Sequence, residues 1–251
     1  MLFIFLELMS IILIINSHNY AQTKVHSLKT EISGKINRRL SFIEERINLL
    51  KHNKELEEQN TRLLNTIHNP LKNEAINLPG QYEFIPGFVI SNQYSFSHNN
   101  ILINRGRKDG VEPEMGVIGT NGIVGIVQKT SKNYAKVLSV LNTDTKINVA
   151  LKDTNYTGFL VWEGNNPNNF SVIDMPVNAH IKIGDTITTS GVSNIFPKGI
   201  NIGKIINYKT VAGRKSYKIN LISFMDMTGI GPVYIVKNNY KKEIDSLLEI
   251  K

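Results

Sequence analysis

Hydrophobic and polar positions divide the chain into four regimes. Residues 2–15 are apolar except for Glu7 and Ser10. From Lys24 to about Ile67 apolar residues recur at helical spacing, with no proline and with Gly34 as the one glycine. Residues 69–87 carry Pro70, Pro79, Gly80 and Pro86, a composition that separates elements. Beyond Gly87 short apolar runs alternate with Gly, Asn and Asp turns, at 88–90, 100–103, 136–141, 146–151, 157–163, 170–175, 217–225 and 232–236. Strands this short, with no long helix between them, predict an antiparallel barrel or sandwich. The expected organisation is a membrane anchor over 1–23, a coiled-coil helix over 24–68 and a linker over 69–87. A mainly β domain over 88–237, built of two similar small antiparallel barrel-like subdomains, and a polar tail over 238–251 complete it.

The first segment is short for an anchor. Fourteen helical residues span about 21 Å, against the roughly 30 Å of a bilayer's hydrocarbon core. A cleaved signal peptide would need a basic start and a small-x-small cleavage site, and neither is present around Asn16-Ser17-His18-Asn19-Tyr20-Ala21. A buried core helix would need a partner, and a polar helix follows instead. The reading is a transmembrane anchor whose upstream turn lies before a start codon placed too late. Lys24, Lys29, Lys35, Arg38 and Arg39 just after it would, taken literally, keep the bulk of the chain in the cytoplasm. Basic residues upstream of Met1 would reverse that balance.

Within the helical stretch, Leu49, Leu56 and Leu63 repeat every seven residues, with Asn53, Asn60 and Ile67 four residues after each. Leucine at d with asparagine at a suits a parallel two-stranded coil, because a buried Asn pairs across the dimer axis and costs stability in other registers. An earlier seam, Ile36, Leu40, Ile43, Ile47 and Leu50, is offset by one residue, so the register breaks near Leu49-Leu50. About 44 helical residues would hold the β domain up to about 66 Å from the bilayer. The competing reading is a single helix packed on its own β domain.

Two glycine-rich blocks organise the β region. The first, residues 104–127, is NRGRKDGVEPEMGVIGTNGIVGIV, with Gly116, Gly119, Gly122 and Gly125 at every third position. The intervening residues are mostly β-branched and no helix follows, which argues against a phosphate-binding loop. Asn121-Gly122 predicts a type I′ hairpin with φ > 0 at both residues. The second, residues 184–206, is GDTITTSGVSNIFPKGINIGKII and repeats the order of turn, β-branched run, Gly/Pro corner and Gly-Ile strand. Gly110, Asn121, Gly122, Gly125, Gly184, Asp185, Gly199 and Gly203 are the expected structural corners, with Asp109 and Asp185 each stabilising its own turn.

These two blocks, in this order behind a hydrophobic N-terminus and a helical stretch, resemble the MreC family of cell-shape proteins. The resemblance implies export of the bulk of the chain, attachment to the inner (cytoplasmic) membrane and a part in cell elongation without catalytic residues. Its implied partners are the elongation transpeptidase of the penicillin-binding protein 2 type, other shape-complex membrane proteins, the membrane and a second copy of the chain, with filaments a further prospect. Docking is expected at exposed strand edges and apolar patches. A periplasmic adaptor of an efflux or secretion system, or a tethered wall hydrolase, would share some of these features. An adaptor would place a helical hairpin inside the β domain, and a hydrolase would need catalytic side chains.

Composition changes this picture little. The net charge of +8 is spread without a Lys/Arg run that would grip nucleic acid, and the absence of Cys removes disulfide, thiol-redox and Cys-zinc chemistry. Only His98 and His180 fall in the β region, and Ser190 lacks the glycine and helix of a nucleophile elbow. No cofactor or metal is expected.

Overall fold

The computed structural model describes residues 2–17, 46–69, 80–211, 213 and 215–247. The upstream half of the first seam, from Ile36 to Ile43, and most of the predicted linker lie outside the described residues. The chain divides into two compact units, Met1–Glu58 and Gln59–Lys251. In the first unit, α1 (Leu2–Ser17) is an α-helix of 16 residues, about 24 Å long. Among the described residues no helix is long and apolar enough to cross a membrane. Residues 46–68 form α2, which crosses from the first unit into the second.

The second unit holds two closed six-stranded antiparallel barrels. The first is built from β1 (Tyr82–Asn92), β2 (His98–Ile103), β3 (Gly116–Ile118), β4 (Ile123–Thr130), β5 (Ala135–Asn142) and β12 (Pro232–Asn238). Around the barrel they run β1-β12-β3-β4-β5-β2. The second contains β6 (Ile147–Leu151), β7 (Thr157–Val161), β8 (Asn169–Pro176), β9 (Thr186–Thr189), β10 (Asn201–Thr210) and β11 (Ser216–Ser223), in the order β10-β11-β8-β7-β6-β9. The second barrel is thus inserted whole between β5 and β12 of the first. Strand β1 begins at Tyr82, inside the stretch whose prolines suggest a linker. Pro86 and Gly87 stay within its ladder, opposite Tyr234 and Val233 of β12. Helix α3 (Lys241–Leu247) follows β12 in the predicted polar tail.

Alternation along the strands fills each barrel. Ile101, Ile103, Val117, Val137 and Ile235 are buried inside the first, and Val149, Val172, Ile187, Ile219 and Leu221 inside the second. Burying each of these side chains contributes about 1.5–3 kcal/mol.

The two glycine-rich blocks occupy equivalent places. Block one supplies β3 and β4, and block two supplies β9 and β10. Asp109 accepts the Gly106 N–H at 2.9 Å before β3, and Asp185 accepts the Lys182 N–H at 2.8 Å before β9. Gly110 (φ 81°) and Gly184 (φ 93°) take the left-handed conformation in those turns, as does Gly199 (φ 93°) ahead of β10. Gly125 pairs with Ser139 on β5 and Gly203 with Ser223 on β11. At each, an added Cβ would collide with the carbonyl oxygen of the residue before that partner, Leu138 in one barrel and Ile222 in the other.

One expected corner differs. Neither Asn121 nor Gly122 has positive φ, so Asn121-Gly122 is no type I′ turn. The hairpin closes through the Gly119 N–H donating to the Gly122 carbonyl at 2.8 Å. Gly116, Gly119 and Gly122 are small because the second barrel presses on them: a Cβ at Gly116 would stand 2.6 Å from the Phe196 ring, and one at Gly122 would stand 3.3 Å from the Asn201 carbonyl. Close approach, rather than turn geometry, explains their spacing.

Candidate interaction surfaces

Four arrangements bear on what the unit can hold. The first is the contact between barrels. Phe196, from the β9–β10 connection, is 1% exposed and lies against Gly116 of β3, while Met225, after β11, lies against Gly119. Asn92 of β1 donates to the Met227 carbonyl at 2.7 Å. The ring seated on glycine and the Asn92–Met227 bond tie the two barrels together.

The second is a clasp at the end of the chain. Lys241 of α3 bonds Glu114 of the first barrel at 2.8 Å and Asp245 at 2.7 Å. Asp245 in turn accepts from Asn194 of the second barrel at 3.0 Å, and Asn238 donates to the Asn194 carbonyl at 3.1 Å. Hydrogen bonds donated to Asp245, then to Glu114, raise the Lys241 ammonium above its ordinary pKa, and Lys241, then Asn194, lower the Asp245 carboxyl. The pair is therefore charged throughout the neutral range. Its contribution is lost as acid protonates Asp245 below its ordinary 3.8 and as alkali takes Lys241 above its ordinary 10.5.

The third is the junction at the end of α2. Asn69 ends α2, and its side chain acts as a strand backbone would. Its amide Nδ2 donates to the Tyr82 carbonyl and its Oδ1 accepts the Tyr82 N–H, both at 2.8 Å. Gly80 leaves room for it, since a Cβ there would stand 2.6 Å from the Asn69 side chain. Leu64 packs on the core, and the His68 ring lies 5.6 Å from that of Phe84. From the sequence, Asn69 reads only as a helix stop.

Burial lowers the His68 pKa below its ordinary 6.5. Well above pH 6.5 the ring is neutral whether docked or undocked, and the contact is at full strength. As pH falls through 6.5 the undocked ring takes a proton that the docked ring resists, so the junction weakens. Unfolding in urea at about pH 7.5 and about pH 5.5 should show a loss for the wild type that His68→Phe diminishes. Equal losses in both proteins would remove His68 as the cause.

The fourth is the outer surface. Every strand of both barrels has a neighbour on each side, yet residues 207–210 of β10 run beyond β9 and pair with β11 alone, so part of one strand edge stays open for docking. Apolar surface is present as well. Phe88 and Ile90 of β1 are 53% and 52% exposed, Leu102 follows on β2, and Tyr94 and Phe96 project from the loop between them. On α2 the residues of the predicted seam, Leu49, Asn53, Leu56, Asn60, Leu63 and Ile67, are all exposed. The half-buried residues of its last turns, Thr61, Leu64, Asn65 and His68, lie on another face.

The candidates for chemistry stay apart. His98 meets Asp144 at 2.9 Å, both exposed, with no nucleophile in the pair. Ser190 Oγ accepts the Val192 N–H at 3.2 Å in a local turn, and His180 is exposed. No group of three His, Asp or Glu among the described residues could hold a metal ion.

The barrels and their glycine contacts define a class: a double-barrel protein in which one barrel interrupts the other. A family model described as "Rod shape-determining protein MreC, barrel core" matches residues 89–237. The chain belongs to the MreC family. It is 27% identical to the cell shape-determining protein MreC of Listeria monocytogenes over 161 residues, 63% of this chain and 55% of that one. Against the Bacillus subtilis protein of the same name, identity is 24% over 199 residues, 74% of this chain and 65% of the relative. The chain spans about half the length of the first curated relatives it matches. The fold is that of solved MreC structures, including one from Listeria monocytogenes (TM-score 0.59, 22% identity, 83% of this chain and 94% of that chain). Another is from Pseudomonas aeruginosa (TM-score 0.55, 22% identity, 61% and 98%).

Proposed function

We propose that this protein is a membrane-anchored extracytoplasmic scaffold of the cell-elongation machinery, which maintains cell shape by organising peptidoglycan-synthesis enzymes and runs no reaction of its own. The observation that carries the reading is the combination, in an MreC family member, of a locked pair of barrels with an apolar stripe left exposed on the helix leading into them. The stripe pairs two copies, the N-terminal segment that contains α1 anchors them in the inner membrane, and the barrels face outward as the docking body. The transpeptidase of the penicillin-binding protein 2 type and other shape-complex membrane proteins are the partners that the family implies. Docking falls on side-chain patches such as that around Phe88 and Ile90. The efflux-adaptor reading has less support, since no α-helix interrupts the described residues between 80 and 238.

Depletion in a rod-shaped host followed by microscopy tests this function: elongated cells should become round, and unchanged rods would contradict it. Pairing has its own test. Replacing Asn53 and Asn60 by Leu should raise the stability of the assembly and blur its two-stranded state into higher species in sedimentation. A monomer in both proteins would remove the dimer.

A further inference from the structure

The outer wall of the second barrel carries a concave polar site of about 300 Å³, at the low end of the range for small-molecule sites. Its floor is a row across three strands: Asn207 on β10 pairs with Asn220 on β11, and Asn220 pairs with Ser171 on β8. Its lip is the loop after Trp162, with Glu163, Asn165, Asn166 and, at its end, Asn169. A bulge between Ile205 and Asn207 brings Ile206 into the lining as an apolar contact.

The lip is pinned. Trp162 is 3% exposed and donates its indole N–H to the Asn166 carbonyl at 2.9 Å. Asn166 Oδ1 accepts the Asn168 N–H at 2.8 Å, and the Ser223 N–H of β11 donates to the Asn168 carbonyl at 2.8 Å. The floor is ordered as well. Ser171 Oγ, nearly buried, lies 2.7 Å from Glu163 Oε1 and 3.0 Å from Asn220 Oδ1, and Lys218 Nζ lies 2.6 Å from Glu163. One hydroxyl proton cannot serve two acceptors, so Ser171 donates to Glu163 and accepts from Asn220 with that amide turned about. The Asn220 carbonyl oxygen is then left for a ligand.

The cavity beside the α3 clasp is different, for its charges bond one another. Here the Asn165, Asn169 and Asn207 side chains make no hydrogen bond among the described residues, and the Glu163 carboxylate is matched by Lys218. Several free amides, a satisfied ion pair and an aliphatic contact, held on a rigid wall, suit a ligand rich in hydroxyl groups and lacking strong charge. Each amide can donate to one hydroxyl and accept from its neighbour. We infer that this wall of the second barrel binds a short neutral saccharide, one or two sugar rings long, between the Asn207–Asn220–Ser171 row and the 163–169 lip.

The test uses the full chain, isotopically labelled, in a zwitterionic detergent without a sugar headgroup. Backbone amide shifts are followed while N,N′-diacetylchitobiose, cellobiose or inorganic phosphate is added to about 10 mM, where a Kd of about 1 mM is nearly saturated. The expected result is saturable shifts confined to the lip and to β8, β10 and β11 with a saccharide. Response to both sugars would identify hydroxyl recognition, and response to chitobiose alone an acetamido contact; either supports the site. Asn207→Ala with Asn220→Ala should weaken binding about tenfold while the shifts of the rest of the chain stay in place. No saturable shift with either sugar, shifts unaltered by the double variant, or saturation by phosphate alone would overturn the inference.

Discussion

Replacing Phe196 by alanine is expected to cost about 3–5 kcal/mol, the usual loss for a fully buried phenylalanine. The ring is 1% exposed and seats on Gly116, where no side chain larger than hydrogen fits without moving it or the Ile195 carbonyl. The loss should fall on the contact between barrels more than on either barrel, because the Phe196 side chain is not part of either strand ladder. Calorimetry should show one transition for the wild type and two separated transitions for Phe196→Ala. Gly116→Ala, which pushes the same ring from the other side, should reproduce the separation more mildly. A single transition at the wild-type temperature in both variants would mean that Phe196 couples nothing.

The second large effect concerns the paired glycines. Gly125→Ala and Gly203→Ala should each cost about 3 kcal/mol, since the new methyl would meet a backbone carbonyl of the neighbouring strand, which cannot turn aside as a side chain can. For a domain of this size that lowers the melting temperature by about 6–12 °C. The two positions share one geometry, so their costs should be alike. A severe loss at Gly125 with a neutral change at Gly203 would end the equivalence of the two barrels.

That equivalence was partly legible in the amino-acid order. The turns around Asp109 and Asp185 obey local rules, because a carboxylate that caps its own turn and a glycine with positive φ depend only on near neighbours. The strands followed from β-branched runs for the same reason. What depends on distant residues could not be read. Nothing local shows that β12 returns to close the first barrel after a whole second barrel has intervened. Gly116, Gly119 and Gly122 looked like bends because their true reason, Phe196, Met225 and Asn201, lies about eighty to one hundred residues away. Pro86 suggested a linker, although a proline can sit in a ladder where its missing N–H is not called upon. Asn69 acts by mimicking a strand toward Tyr82.

The candidate surfaces were less legible still. The helix over 46–68 and the exposed face that Leu49, Leu56, Leu63 and Ile67 share on it followed from spacing alone. Closure of the barrels, in contrast, rests on distant pairings, and it leaves the edge of β10 beyond β9 open, in addition to the apolar patch around Phe88 and Ile90.

The central claim is that the protein acts by gathering the enzymes that build the wall. Its most direct measurement is purification of the tagged full chain from detergent extracts, with the bound proteins identified by mass spectrometry and released muropeptides assayed in parallel. The account predicts an elongation transpeptidase and other shape-complex membrane proteins, lost when Phe88 and Ile90 are both replaced by Ser. Recovery of outer-membrane channel and transporter subunits alone, or release of muropeptides by the purified chain, would contradict it.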